Sequence, residues 1–196
     1  INKAYAMVKP TDSWYDTIST VHKSLEEIHK LSHDIIEIDS HDNLHIKGVY
    51  YPNNSDITVI CVHGYTSHAE REWAFPGLFY LSLGYNVLIP YQRAHGLSEG
   101  KYITFGAFEH LDMQKWIERV SEINPEGSII VHGLSMGGGI VLDLADKDMK
   151  NHVLEIGKNK VVKTLALYGK NASGKSNLIC ALYYFESFVY NQFFDA

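Results

Sequence analysis

The chain has 196 residues, 45% of them hydrophobic and 20% charged, which is the composition of a globular protein with enough apolar side chains to bury a core. A formal net charge of −6 and a pI near 6.0 argue against a basic nucleic-acid-binding face, so no nucleic acid is expected as a partner. No apolar run is long enough to span a membrane and no signal peptide opens the chain. The cytoplasm is therefore the favoured compartment, although the chain opens on Ile1 and an upstream leader or anchor stays open.

Residues 1–33 form a leading segment in which Ile18, Val21, Leu25, Ile28 and Leu31 recur at helical spacing, predicting a helix over Thr17–Leu31. His29 and His33 stand four apart, a spacing that can put two imidazoles on one helical face; without a third ligand it reads as a solvated face, and no metal is expected. Asp34–Ser40 and Leu44–Tyr51 alternate apolar and polar residues, as in an antiparallel hairpin at a sheet edge. Ile57–Val62 is a continuous apolar run of the kind found in doubly covered parallel strands, and it ends in His63-Gly64-Tyr65-Thr66. A helix is predicted over Glu70–Leu83, closed by Gly84, before a buried strand over Tyr85–Pro90. Gly106–Ile123 reads as an amphipathic helix with Phe108, Leu111, Trp116, Ile117 and Val120 inward; Glu109, Asp112, Lys115, Glu118 and Arg119 are expected mostly outward. The two cysteines, Cys61 and Cys180, lie inside apolar runs without metal or redox spacing and read as buried thiols.

This alternation predicts an α/β fold: a mostly parallel sheet with right-handed crossovers, helices on both faces and an antiparallel hairpin at one edge. In such sheets the working loops lie at the carboxyl ends of the strands. That rule places His63–Thr66, Gln92–Gly100 and Ser135 along one rim. The last of these belongs to the stretch around which the chain is organised, Ser128–Gly139, an apolar β-run that breaks into a glycine-flanked turn. Gly133, Ser135 and Gly137 make a G-x-S-x-G pattern, in which a nucleophilic serine sits on a strained strand-to-helix elbow. Neighbours without Cβ atoms let strand and helix close around that residue and leave its Oγ exposed.

Three ordered motifs, His63-Gly64-Tyr65, Arg93-Ala94-His95-Gly96-Leu97-Ser98 and the elbow, resemble those of the α/β-hydrolase family, in particular bacterial serine hydrolases of the esterase and aminopeptidase-like kind. The resemblance covers residues 34–153 and implies that Ser135 attacks an acyl carbon while the backbone N–H groups of Tyr65 and Met136 form the oxyanion hole. It implies a small ester, thioester or amide substrate and no cofactor. His63 and His95 read as loop buttresses. Two positions depart from the family pattern, Tyr91 and Ala94, where its members usually carry Asp and Gly. A third departure is larger. A serine needs a base and an orienting acid, which the family supplies from loops after later strands. After the elbow this chain has only His152, and Asp143, Asp146 and Asp148 lie on or just after the following helix. No base or acid is assigned, so the chain reads as a truncated hydrolase core with impaired turnover.

Residues 154–196 carry a second signature. Val161–Tyr168 is β-rich, Gly169–Ser176 is a full G-x-x-x-x-G-K-S loop, and a helical stretch follows from Asn177 to Phe193. This strand, loop and helix resemble the start of ATPases of the ATP-binding-cassette and chromosome-maintenance type. The likeness implies ATP held by Gly169, Gly174 and Lys175, with magnesium on Ser176 when nucleotide binds. The Val161–Tyr168 strand is expected to add in parallel beside Ser128–His132, making one α/β body, and an apolar edge left open is expected to self-associate. Three readings follow: a serine hydrolase with an incomplete triad, an ATP-binding module of a truncated ATPase, or a fusion fragment without function.

Overall fold

The apolar runs pair into one sheet. The computed structural model describes residues 11, 15–146, 153–156 and 159–162; the chain divides into two compact units, Ile1–Leu165 and Ala166–Ala196, and all described residues belong to the first. Strands β1 (Asp34–Asp39), β2 (His45–Tyr51), β3 (Ile57–Val62), β4 (Asn86–Pro90), β5 (Ser128–Gly133), β6 (Val153–Ile156) and β7 (Asn159–Val162) lie in the order β1-β2-β4-β3-β5-β7-β6. Helices α1 (Tyr15–Ile28), α2 (Ala69–Ser82), α3 (Glu109–Ile123) and α4 (Met136–Asp146) complete the described elements.

The period-2 geometry of a strand sends successive side chains to opposite faces, and the core splits accordingly. Val59 and Cys61 of β3 join Val49, Val87 and Ile89 under Ile28 of α1 and Trp73 of α2. Ile60 and Val62 join Ile46, Leu88 and Val131 under Met113, Trp116 and Ile117 of α3 and Ile140 of α4. The expected α/β architecture, with helices on both faces, is what forms. β3 runs parallel to both β4 and β5, while β1 and β2 make the antiparallel hairpin at one edge. Cys61 is a buried free thiol, and Cys180 lies outside the described residues.

Two expectations change. Just before α3, Phe108 is 42% exposed, while Glu109 and Asp112 of the helix are 2% and 4% exposed; helical periodicity marks a face, but hydrogen-bond partners from outside the helix decide which acids that face can bury. At the other edge, β7 does add in parallel beside β5, with Ile129 opposite Val161 and Ile130 opposite Val162. It begins at Asn159, and β6 pairs with it antiparallel, so a stretch given no element in the sequence reading is a hairpin strand. The remainder of the predicted Val161–Tyr168 run, from 163 onward, lies outside the described residues.

Candidate active site

β5 delivers the chain to Ser135, whose φ of 55° is left-handed, a region where a Cβ crowds the following carbonyl. The turn closes because its flanking glycines allow atoms where side chains would otherwise be. A Cβ on Gly137 would overlap the carbonyl oxygen of Val62 and come 2.7 Å from that of His63, and one on Gly133 would strike the Gly137 backbone. The Leu134 amide donates to the Val62 carbonyl at 3.1 Å, and the Gly138 amide to the Ser135 carbonyl at 3.0 Å, tying the elbow to the end of β3 and starting α4. Ser135 itself is exposed.

The loop after β3 meets this elbow. A Cβ on Gly64 would lie 3.2 Å from Ser135 Cβ, so the two backbones abut. The Gly64 amide donates to Glu72 Oε2 at 2.7 Å, which orients the loop. Tyr65 follows Gly64, and Met136 follows Ser135; neither amide donates to another group among the described residues.

His63 is fully buried. Its Nδ1 donates to the Gly64 carbonyl at 2.8 Å, and its Nε2 accepts from the Gln92 amide at 3.1 Å, so the neutral ring is fully used. Burial holds its pKa down at about 4. His95 donates from Nδ1 to the Arg93 carbonyl at 2.9 Å and packs edge-on to His63 at 4.6 Å. Both rings hold loops together, and no histidine is hydrogen-bonded to Ser135 among the described residues.

Arg93 anchors the second motif. It is 3% exposed and donates from Nε and Nη2 to the two carboxylate oxygens of Asp112, each at 2.8 Å. Its Nη1 and Nη2 reach Asp42 at 3.0 and 3.1 Å, and hydrogen bonds from Arg93 and Ser40 hold the Asp42 pKa down at about 2. The departures at Tyr91 and Ala94 have local consequences. The Tyr91 hydroxyl donates to Glu70 Oε2, and its ring occupies the space a Cβ on Gly96 would need. Ala94 adopts φ 61°, a conformation in which glycine is unstrained.

Residues that periodicity and motif spacing did not single out complete the rim. Glu109 accepts from the Thr104 amide at 2.7 Å, the Thr104 hydroxyl at 2.5 Å and the Gly106 amide at 2.8 Å. Burial alone would raise its pKa, but these hydrogen bonds outweigh burial and hold it below 4.5. Phe105, between those two amides, stacks on Tyr65 at 5.1 Å. No local signal marks Glu109, since its spacing from Thr104 is not that of a capping box. A cavity of about 640 Å³ lies between α1, the Thr66–Ser67 continuation of the Gly64–Tyr65 loop and the start of α2; His22, Glu26, His29 and Tyr91 are among its lining residues and Ser135 is not. His29 pairs there with Glu70 at 2.9 Å, and His33 bonds the Leu31 carbonyl. Asp143 and Asp146 are seven and ten residues along α4, roughly 10 and 15 Å from its start. His152, Asp148 and the loop residues Gly169, Gly174, Lys175 and Ser176 lie outside the described residues.

Comparison with known proteins agrees with this fold. An esterase of Pyrococcus furiosus, Pf2001, is 38% identical, with a TM-score of 0.56 over 61% of this chain and 49% of its own. An α/β serine hydrolase without lid from Xanthomonas campestris, XC6422, shares the fold at 19% identity and a TM-score of 0.53, over 59% of this chain and 56% of its own. In Bacillus subtilis (strain 168), the protein described as "Uncharacterized protein YqkD" is 34% identical over 131 residues, 66% of this chain and 40% of its own length. The chain thus spans between two fifths and half the length of its two more identical relatives. The family model described as "Serine aminopeptidase, S33" matches residues 53–156, more than half of the chain, and the chain belongs to that α/β-hydrolase family.

Proposed function

We propose that this chain carries the nucleophile and oxyanion hole of a serine hydrolase acting on ester, thioester or amide bonds. The observation that supports this reading is the exposed Ser135 at φ 55°, abutting the Gly64 backbone, with the amides of Tyr65 and Met136, the residues that follow Gly64 and Ser135, donating to no acceptor among the described residues. In the reaction, Ser135 Oγ attacks the acyl carbon, its proton passes to a base, and the carbonyl oxygen takes its negative charge against the two amides. Collapse of that intermediate expels the alcohol, thiol or amine, and water then releases the acid. His63 is unsuited to be the base, because both of its nitrogens are engaged and burial disfavours its protonated form. With no histidine hydrogen-bonded to Ser135 among the described residues, turnover by the described residues alone is expected to be low, at the level that oxyanion stabilisation and binding sustain, roughly 10³- to 10⁴-fold over water.

Intact-mass analysis after fluorophosphonate treatment tests the assignment. One slow, single adduct is expected, lost in Ser135→Ala. A folded, monodisperse protein that takes up no label, or one labelled equally after that substitution, would overturn it.

A further inference from the structure

Phe105 adopts φ 52°, a left-handed conformation that a bulky L-residue takes only when its surroundings impose it. Those surroundings are explicit. The carboxylate of Glu109, 2% exposed, receives the amides of Thr104 and Gly106, on either side of Phe105, and the Thr104 hydroxyl. The same hydroxyl accepts from the Phe108 amide at 3.1 Å. A buried charge and a strained backbone are thus committed to one ring, yet that ring is 69% exposed and gains little from burial. What it does contact is Tyr65, 52% exposed, with ring centroids 5.1 Å apart and planes 21° from parallel. Tyr65 directly follows the glycine that abuts Ser135.

We propose that the Tyr65–Phe105 stack is a substrate-recognition ledge that takes an aryl group flanking the reacting carbonyl, and that Glu109 is the positioning residue that holds it. This rests on the reading of Ser135 as the nucleophile. A stacked aromatic pair offers a broad π face and edge to a third ring, whereas a linear alkyl chain gains only contact area. Strain at such a position is a mark of function more than of folding.

Labelling rates of Ser135 with a methyl and a phenylbutyl fluorophosphonate separate these roles. Phe105→Ala is expected to slow the phenylbutyl probe about tenfold and the methyl probe less than twofold, with Phe105→Tyr restoring the wild-type ratio. Glu109→Gln, checked for folding by near-UV circular dichroism, should show the same probe-selective loss. Equal slowing of both probes, or none, would overturn the ledge; if Glu109→Gln does not fold, the exposed Phe105 still decides. Calorimetric binding of 4-phenyl-2-butanone to Ser135→Ala, against Ser135→Ala/Phe105→Ala, needs no reactive serine. About tenfold weaker binding in the double variant supports the ledge, and unchanged affinity sinks it. Absence of labelling together with Phe105-dependent binding would discard the nucleophile and keep the ledge.

Discussion

At Ser135, Ala94 and Phe105 the chain holds non-glycine residues at positive φ, but for different reasons. Ser135 is imposed by the glycines around it, whose absent side chains leave room for the Val62 and His63 carbonyls. Phe105 is imposed by Glu109. Ala94 is bridged by its amide to the Glu99 carbonyl at 2.9 Å, and its methyl only adds strain where family members usually have glycine. Ala94→Gly is therefore expected to stabilise the protein: relief of about 1–2 kcal/mol of left-handed strain exceeds the roughly 0.4–1 kcal/mol of extra unfolded-chain entropy. A urea midpoint that moved downward would show that the methyl packs favourably instead.

Among the elements, α1 is attached mainly through its packing against α2. Ile28 is fully buried, its Cδ1 fills the space beside Gly77 of α2, 3.2 Å from where a Cβ would stand there, and His29 pairs with Glu70 one residue later. Truncation should leave a cavity between two helices that are tied together and cannot freely collapse. Ile28→Ala is expected to cost about 2–4 kcal/mol in urea unfolding, with labelling of Ser135 unchanged under native conditions because the elbow lies on other elements. The helix itself was legible in the apolar repeat of Ile18, Val21, Leu25 and Ile28. Its partner was not, since a helical stripe says that a face is buried and not against what. The same gap explains the reversal on α3. Asp112 and Glu109 looked like solvent-facing acids by periodicity, and they are buried because Arg93 and the Thr104–Gly106 turn reach them from outside the helix.

For the molecule as a whole, burial of neutral histidines makes stability depend on pH. His63 has a folded pKa of about 4 against 6.5 unperturbed, so the unfolded chain binds a proton that the folded one refuses. Its contribution is fully present above pH 6.5 and is lost as pH falls toward 4, approaching about 3 kcal/mol. His132, lowered by burial, acts in the same direction. Asp42 and Glu109, held below their ordinary values, extend the loss further into acid as they become protonated. Urea midpoints measured from pH 7 to 4 should fall steadily, and His63→Gln, which cannot titrate, should flatten that slope from a lower starting stability. An unchanged slope in the variant would assign the acid sensitivity to other groups.

Local sequence determined most of the elements and their order, β6 excepted: short apolar runs rich in β-branched residues and bounded by turn residues favour covered strands, and glycines around a serine allow a turn that other residues forbid. It also determined which loops share a rim, because parallel strands joined by right-handed crossovers put their carboxyl ends together. Only the tertiary structure decided the partners. The bidentate Arg93–Asp112 pair spans 19 positions and the Tyr65–Phe105 stack 40, and Gly64 and Ser135 meet across two strands. Each such contact depends on sheet register and loop closure, which act between segments whose separation along the chain carries no signal of their distance in space.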